Sequence, residues 1–477
     1  MIEVYCTPDY IEATRITLPS GKRIPFGWEA APIGSDPDRV TQLHWNVPGD
    51  YMQSSTRFRL TVAIDVREEK MVQIYSLASK KVLGYLDIRF SSVFQTYEVI
   101  FTQEDTLVAI REGVGLKLIK GSEPLWFFTH GSDKASIELV FKPHLLTETK
   151  QGNITNFRNR FASLASIQQF GWMEGCVLDG LMDLGYSETA KSHLDLYVST
   201  ELDKLIYEDP RSQPVDGQFY GIESLLPIAI MAKIYPQNPI LYQAINYMNS
   251  RKNKEGAIQD KSEVSCEGNY TIAYPLACLA NTLDDSQLAE ESLLQLAVRR
   301  KLLWKEHTLY LRFLENGSHT FKNWGRAYVW YLLGIARTIK ELKSQNRLSE
   351  ASEEYWKEEF IRAWNVAWSY RNNKGLWFCY VDDSGTGVEI STSAGIAAAT
   401  ALGIELKYLS SSYQPELKRT LNSLLTFLTP DGLITGTSQG NKGGEDLQRN
   451  GYRVLSQVSM GLLAQLINAL EELDSNK

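Results

Sequence analysis

A chain of 477 residues is too long for one ordinary hydrophobic core, so two domains are expected, or one small and one large. Its 43% hydrophobic and 22% charged residues, with a mean hydropathy of −0.25, fit a soluble globular protein and exclude collagen-like or disordered classes. The net charge is −8, and Lys and Arg are in excess neither in the first 150 residues nor in the rest, which argues against nucleic acid or an anionic membrane as partner.

The N-terminus, Met1-Ile2-Glu3-Val4-Tyr5-Cys6, has neither the basic nor the apolar region of a signal peptide. No apolar run reaches the roughly 20 residues of a membrane span. The five cysteines (Cys6, Cys176, Cys266, Cys278, Cys379) are scattered and without CxxC spacing. That pattern suits a reducing, cytoplasmic setting better than a disulfide framework or a zinc site.

Up to about Leu145 the chain reads as strands. Residues 57–66 are apolar at every second position, the period of a half-buried strand. Ala135, Ile137, Leu139 and Phe141 repeat the pattern. Between them lie β-rich runs at 71–77, 82–90, 97–102, 106–111, 116–120 and 124–129. This spacing predicts an antiparallel β-sandwich over residues 1–148, which either buttresses its neighbour or binds carbohydrate. Its histidines (His44, His130, His144) are dispersed.

From 149 to 477 the texture becomes helical, in units of about 50 to 65 residues. Each unit pairs a helix rich in small and apolar residues with a more polar, one-faced helix. The apolar helices are expected to begin near Trp172, Tyr220, Asn269, Trp324, Ser391 and Tyr452. Outer helices are expected at 155–168, 188–205, 239–251, 287–301, around Tyr355 to Ala367, and at 414–428. Small residues all round 391–404 suit a helix crowded on every side, whereas Tyr355, Trp356, Phe360, Ala363, Trp364 and Ala367 make a single apolar stripe. Six inner and six outer helices make an (α/α)6 toroid whose funnel collects the inner N-termini; an open solenoid is the alternative.

The loops entering the inner helices carry the candidate chemistry: Trp172 and Glu174; Asp216, Tyr220 and Glu223; Glu263, Glu267, Asn269 and Tyr270; Asn323, Trp324 and Arg326; Asp382, Asp383 and Glu389; Glu445, Asp446, Arg449, Tyr452 and Arg453. Carboxylates converging on an aromatic-lined cavity suit acid–base work on a glycoside. Glu223, Asp216 and Glu267 are the candidate catalytic acids. Trp172, Glu174, Tyr220, Tyr270, Asn323, Trp324, Arg326, Glu389 and Tyr452 are candidate substrate ligands. Glu223 lies among Leu225, Leu226 and Ile228, a setting that raises a carboxyl pKa. Asp382 and Asp383 also read as turn formers, and Glu174 as a first-turn acid. Glycines at 432, 436, 440, 443 and 444 suggest a flexible rim or lid. His193, His307 and His319 show no metal-binding spacing, so neither metal nor other cofactor is expected.

Three motifs carry a resemblance. Trp324-Gly325-Arg326-Ala327-Tyr328-Val329-Trp330 is similar to a W-[GA]-R-G-x-x-W helix start. Glu389-Ile390-Ser391-Thr392-Ser393-Ala394 is similar to E-T-S-x-[ST]-A, and Gly221 through Pro227 to D-G-x-x-M-x-x-P. Together, over about 160–470, they resemble the unsaturated glucuronyl and rhamnogalacturonyl hydrolases built on a six-hairpin toroid. The resemblance implies hydration of the C4=C5 double bond of an unsaturated uronic acid, with an aspartate as proton donor and with Arg326 and Trp324 binding the sugar. The motif's aspartate falls on Tyr220, and Ala327 replaces a glycine.

A glycoside hydrolase acting on a uronic-acid-containing oligosaccharide is therefore the leading expectation, with Glu223 or Asp216 as donor and a homo-oligomer as a possible assembly. Another sugar enzyme on the same scaffold, such as an inverting hydrolase or an epimerase, and a non-catalytic sugar-binding accessory protein are the alternatives. The replaced aspartate favours the last.

Overall fold

The computed structural model describes residues 5–47, 54–133, 135–147, 151–199 and 203–475. The boundary expected between 148 and 149 lies outside the described residues. The chain combines antiparallel sheets, which dominate its first part, with helices, which dominate the rest.

Five strands in the order Tyr10–Glu12, Thr41–His44, Val114–Lys120, Glu69–Ser76, Val82–Arg89 form one antiparallel sheet. Four more, Tyr5–Cys6, His144–Thr147, Thr56–Thr61 and Thr96–Phe101, form another. Glu29–Ile33 pairs with Leu125–His130. Every second residue of Glu69–Ser76 is buried, and its Val72 and Ile74 share one apolar core with Phe58, Leu116, Phe127 and Leu145.

Two expected strands are corrected. Residues 106–111 belong to a helix, Gln103–Glu112, because Thr102 accepts a capping bond from the Asp105 N–H, and Thr106, Ala109 and Ile110 share its buried face. Among the described residues the alternation from Ala135 to Phe141 finds no neighbouring strand, and Leu139–Phe141 forms a 3-10 turn instead. The strand expected over 57–66 ends at Thr61.

Six helices form the inside of the remainder: Trp172–Asp183, Leu226–Ile234, Tyr274–Leu283, Gly325–Ser344, Ile390–Glu405 and Gln457–Ser475. Each packs against the next, and the last packs against the first. Glycines make such close crossings possible. A Cβ on Gly395 would stand 2.3 Å from the Val329 side chain, and one on Gly461 would stand 2.4 Å from the Cys176 carbonyl. Every residue from Ile390 to Ile404 is buried, as small residues on all faces require.

Five of the six pack against the helix that follows: Ser187–Tyr197, Ile240–Ser250, Ser286–Leu303, Glu350–Ser369 and Gln414–Leu425. The outer helix expected to reach 205 stops at Tyr197, where Val198–Ser199 pairs with Lys204–Leu205. The helix expected at 155–168 is Ile154–Phe161 followed by a 3-10 turn. The last inner helix starts at Gln457, five residues after Tyr452, because Arg453–Val454 first pairs with Thr437–Ser438. All five cysteines are free and buried. Among the described residues no helix is long and apolar enough to cross a membrane.

Candidate active site

The N-terminal ends of four inner helices open onto one cavity of about 1260 Å3, its mouth included. Trp172 and Met173 open the first helix, and Glu223 lies just ahead of the second. Glu267 precedes the third, while Trp324 and Arg326 begin the fourth. The β-rich part adds Arg67 and Ser92, and the loop around Gly440 to Lys442 covers another side.

Glu223 sits in the 3-10 turn Ile222–Leu225, entered through Gly221 at φ 67°, a left-handed value that glycine adopts without strain. A Cβ there would lie 3.4 Å from Asp260 Oδ1, so the Asp260 carboxylate stands against this turn. Glu267 lies just before a π turn, Asn269–Ala273, and its Oε2 accepts a bond from Ser265 Oγ at 3.1 Å. Burial, then the neighbouring Glu267 and Asp260, push the Glu223 carboxyl up to about 8. Burial likewise raises Glu267, against the pull of Arg312 and Ser265. Two carboxyls that repel each other when both are ionised, with the Arg312 guanidinium nearby, favour holding one proton over double ionisation.

Arg312 comes from the strand Thr308–Leu314, with Nε 3.2 Å from Glu263. Arg326 is braced from behind. Its Nε donates to Ser391 Oγ at 2.9 Å, and its Nη2 donates to Ser438 Oγ at 2.6 Å and to the Gln439 carbonyl at 3.2 Å. Glu389 Oε1 lies 3.8 Å from that Nη2. The Arg326 guanidinium lies over the Trp324 ring at 5.3 Å, and Trp172 meets Trp330 edge to face at 5.5 Å.

Glu223, Glu267, Trp172, Tyr220, Trp324 and Arg326 thus line one space. The other six candidate residues do not. Asp216 receives both terminal nitrogens of Arg23 at 2.7 Å, and that pairing holds its carboxyl below the ordinary range. Glu174 is fully buried between His193 Nδ1, at 2.8 Å, and the Gln168 N–H, at 2.6 Å. Tyr270 is buried and donates to Asp179. Asn323 donates to Asp382 at 2.8 Å and accepts from Tyr328 at 2.8 Å. Glu389 caps its helix through the Thr392 N–H at 2.6 Å and reaches the cavity only through Arg326. Tyr452 donates to the Asp87 carbonyl at 2.7 Å, against the β-rich part.

Asp260, Arg312 and Lys442 are cavity residues that sequence reasoning missed. Lys442 lies in the glycine-rich stretch read as a loose rim, but that stretch is well bonded. The Ser438 N–H donates to Glu389 at 2.8 Å, and Gln439 Nε2 donates to the Arg89 carbonyl at 2.8 Å.

A family model described as Glycosyl Hydrolase Family 88 matches residues 147–473. No curated protein matches the chain. Among solved structures, a possible member of the GH105 family from Salmonella enterica is similar at 15% identity and a TM-score of 0.55, over 64% of this chain and 84% of that one. A family 105 glycoside hydrolase from C. acetobutylicum has 17% identity and a TM-score of 0.54, over 64% and 95%. A family 88 glycosyl hydrolase from Bacteroides vulgatus has 15% identity and a TM-score of 0.51, over 67% and 97%. At such identities these likenesses are of fold. The family match bears out the resemblance carried by the three motifs.

Proposed function

Because the chain belongs to Glycosyl Hydrolase Family 88, we propose that it removes a terminal uronic acid, unsaturated at C4=C5, from an oligosaccharide. The observation that carries this reading is the pair of raised carboxyls, Glu223 and Glu267, in one cavity with Arg326 and three indole rings. Trp172, Trp324 and Trp330 offer faces and edges to a sugar ring, and Arg326 offers a cation to its carboxylate.

In this reading the protonated Glu223 delivers its proton to C4. Glu267 orders a water whose hydroxyl adds to C5 and takes up that water's other proton. The hemiketal so formed opens and releases the remaining sugar. The pair ends one turnover with the same single proton it began with, moved from one carboxyl to the other.

Glu267-Gly268 also matches the acidic-glycine start of the D-G-x-x-M-x-x-P motif, with Pro275 one residue late, eight after the acid (275 − 267). A π turn takes up one extra residue, and Asn269–Ala273 is such a turn. We therefore read Glu267, rather than Tyr220, as the residue in the motif's acidic position. The closed order of inner helices with their outer partners supports an (α/α)6 toroid, and the two sheets around one core support a β-sandwich over 1–148.

The test is Glu223→Gln, with turnover followed as loss of the double bond's ultraviolet absorbance. A fall of about 100- to 10,000-fold is expected, with a melting temperature at neutral pH no lower than that of the unmutated protein. An unaltered rate removes Glu223 from the chemistry, and binding of the oligosaccharide without any product from the unmutated protein would favour an accessory role.

A further inference from the structure

The loop that carries two of the cavity's acids is gripped from behind. Residues 256–268 hold Asp260 and Glu267, and the outer helix Ser286–Leu303 packs against their far side. Gln295 and Arg299, one helical turn apart on that helix, are both fully buried. Gln295 Nε2 donates to the Gly256 carbonyl at 2.8 Å, and its Oε1 accepts from the Ile258 N–H at 2.9 Å. Arg299 Nη2 donates to the Ile258 carbonyl at 2.6 Å, and its Nε donates to the Ser265 carbonyl at 3.0 Å. Arg299 Nη1 ties the two side chains together by donating to Gln295 Oε1 at 2.8 Å. The pair thus holds the loop on both sides of Asp260, and its last grip lies two residues before Glu267.

No carboxylate answers this guanidinium. Among the described residues every acceptor of Arg299 is a neutral oxygen, and burial draws its pKa down to about 10. A buried charge without an anion works against folding, whereas its rigid fork of donors fixes several carbonyls at once. Gly268, beside Glu267, has a φ of −63°, which any residue adopts. What requires glycine there is the guanidinium: a Cβ would stand 2.2 Å from its Nε and Nη2. Glu267-Gly268 and Arg299 are therefore fitted to one another.

We propose that Arg299, supported by Gln295, is a positioning residue for the reaction, holding Asp260 and Glu267 where they share a proton with Glu223. This rests on the reading of Glu223 and Glu267 as the acid–base pair, and Arg299 itself touches no substrate. The charged groups acting on Glu223 are Glu267, Asp260 and Glu263 on this loop, Arg312 on the strand beside it and Lys442 across the cavity. A loosened loop takes the three carboxylates away together and leaves the two cations, so Glu223 titrates lower. Loss of the Arg299 charge without movement of the loop would act in the opposite direction, raising the acids.

The test compares Arg299→Met, Arg299→Lys and Gly268→Ala in the full chain, with turnover of an unsaturated disaccharide and amide hydrogen exchange as readouts. Arg299→Met is expected to lower kcat about 100-fold with KM within about threefold, because misplaced acids slow the chemistry more than they weaken binding. The alkaline limb of its pH profile should move to lower pH, and residues 256–268 should exchange faster. Arg299→Lys, which keeps the charge without the fork, should recover only part of the rate. Gly268→Ala should be harmful alone yet cost no more than about twofold once Arg299→Met has emptied the space. If Arg299→Met fails to fold, Gln295→Met cuts the first tether alone and should lower kcat about tenfold. An unchanged kcat in the folded variants, a rise in KM alone, or an alkaline limb that moves to higher pH overturns the positioning role. An active protein indifferent to these variants sinks that role alone; an unmutated protein that turns nothing over sinks the reading of the acid pair and this role with it.

Discussion

Two regions of the molecule bury carboxylates, and they treat them oppositely. In the seam between the β-rich part and the helices, Asp431 accepts from Arg59 Nη1 at 2.8 Å and from the Tyr5 hydroxyl, with Arg160 Nη2 at 3.7 Å. Burial works to raise its pKa, but Arg59 and Arg160 hold it far below the ordinary range. In the cavity, Glu223 and Glu267 meet each other and Asp260, with Arg312 as the nearby cation, and both stay raised. Desolvation acts on both regions; the ratio of guanidinium to carboxylate decides which acid is ionised. A paired buried charge holds structure, and an underpaired one is available to move a proton.

The largest effect that tests this contrast is Glu267→Gln. Turnover should fall by about 100- to 10,000-fold. With its like-charged neighbour neutral, Glu223 should titrate lower, moving the pH profile of the residual rate to the acid side. An unshifted profile would mean that the two carboxyls do not feel one another.

Next comes Asp431→Asn in the seam, which leaves the Arg59 guanidinium buried with Glu98 as its one remaining anion among the described residues. A loss of about 3–5 kcal/mol in unfolding free energy is expected, with the folded fraction turning over normally. A variant that keeps its stability but loses activity would reverse the roles assigned to the two regions.

Smaller still is the pH dependence of stability, which should separate them by sign. Asp431 is depressed in the folded state, so its contribution is present above about pH 4 and is lost as pH falls further. Glu223 is raised, so stability declines as pH rises from about 4.5 to about 8, and Glu223→Gln should flatten that decline. Denaturant titrations across this range check both limbs. The smallest effect is expected from Asp216→Asn, whose Arg23 pair is partly exposed: under about 1 kcal/mol, and no change in rate. Collapse of turnover in that variant would return Asp216 to the chemistry.

The inner helices were legible because crowding forces a composition. Ser391 to Ile404 could be read as buried all round, and Trp324 to Ala336 as an apolar run with one arginine, without coordinates. Glu223 was legible from its apolar neighbours. Asp260, Arg312 and Lys442 were not, since each sits in a loop or hairpin whose neighbours in space are distant in sequence. Asp216 misled because its partner, Arg23, lies 193 residues away. Alternation misled at Ala135 to Phe141, where period two says nothing about whether a second strand is present to pair with.

The Lys442 ammonium hooks onto the Ser91 carbonyl, and Arg67 and Ser92 stand in the same wall. A fragment cut back to the family-matching stretch would therefore not be a minimal enzyme. It would be a cup with one side missing, open to bulk water beside its two acids.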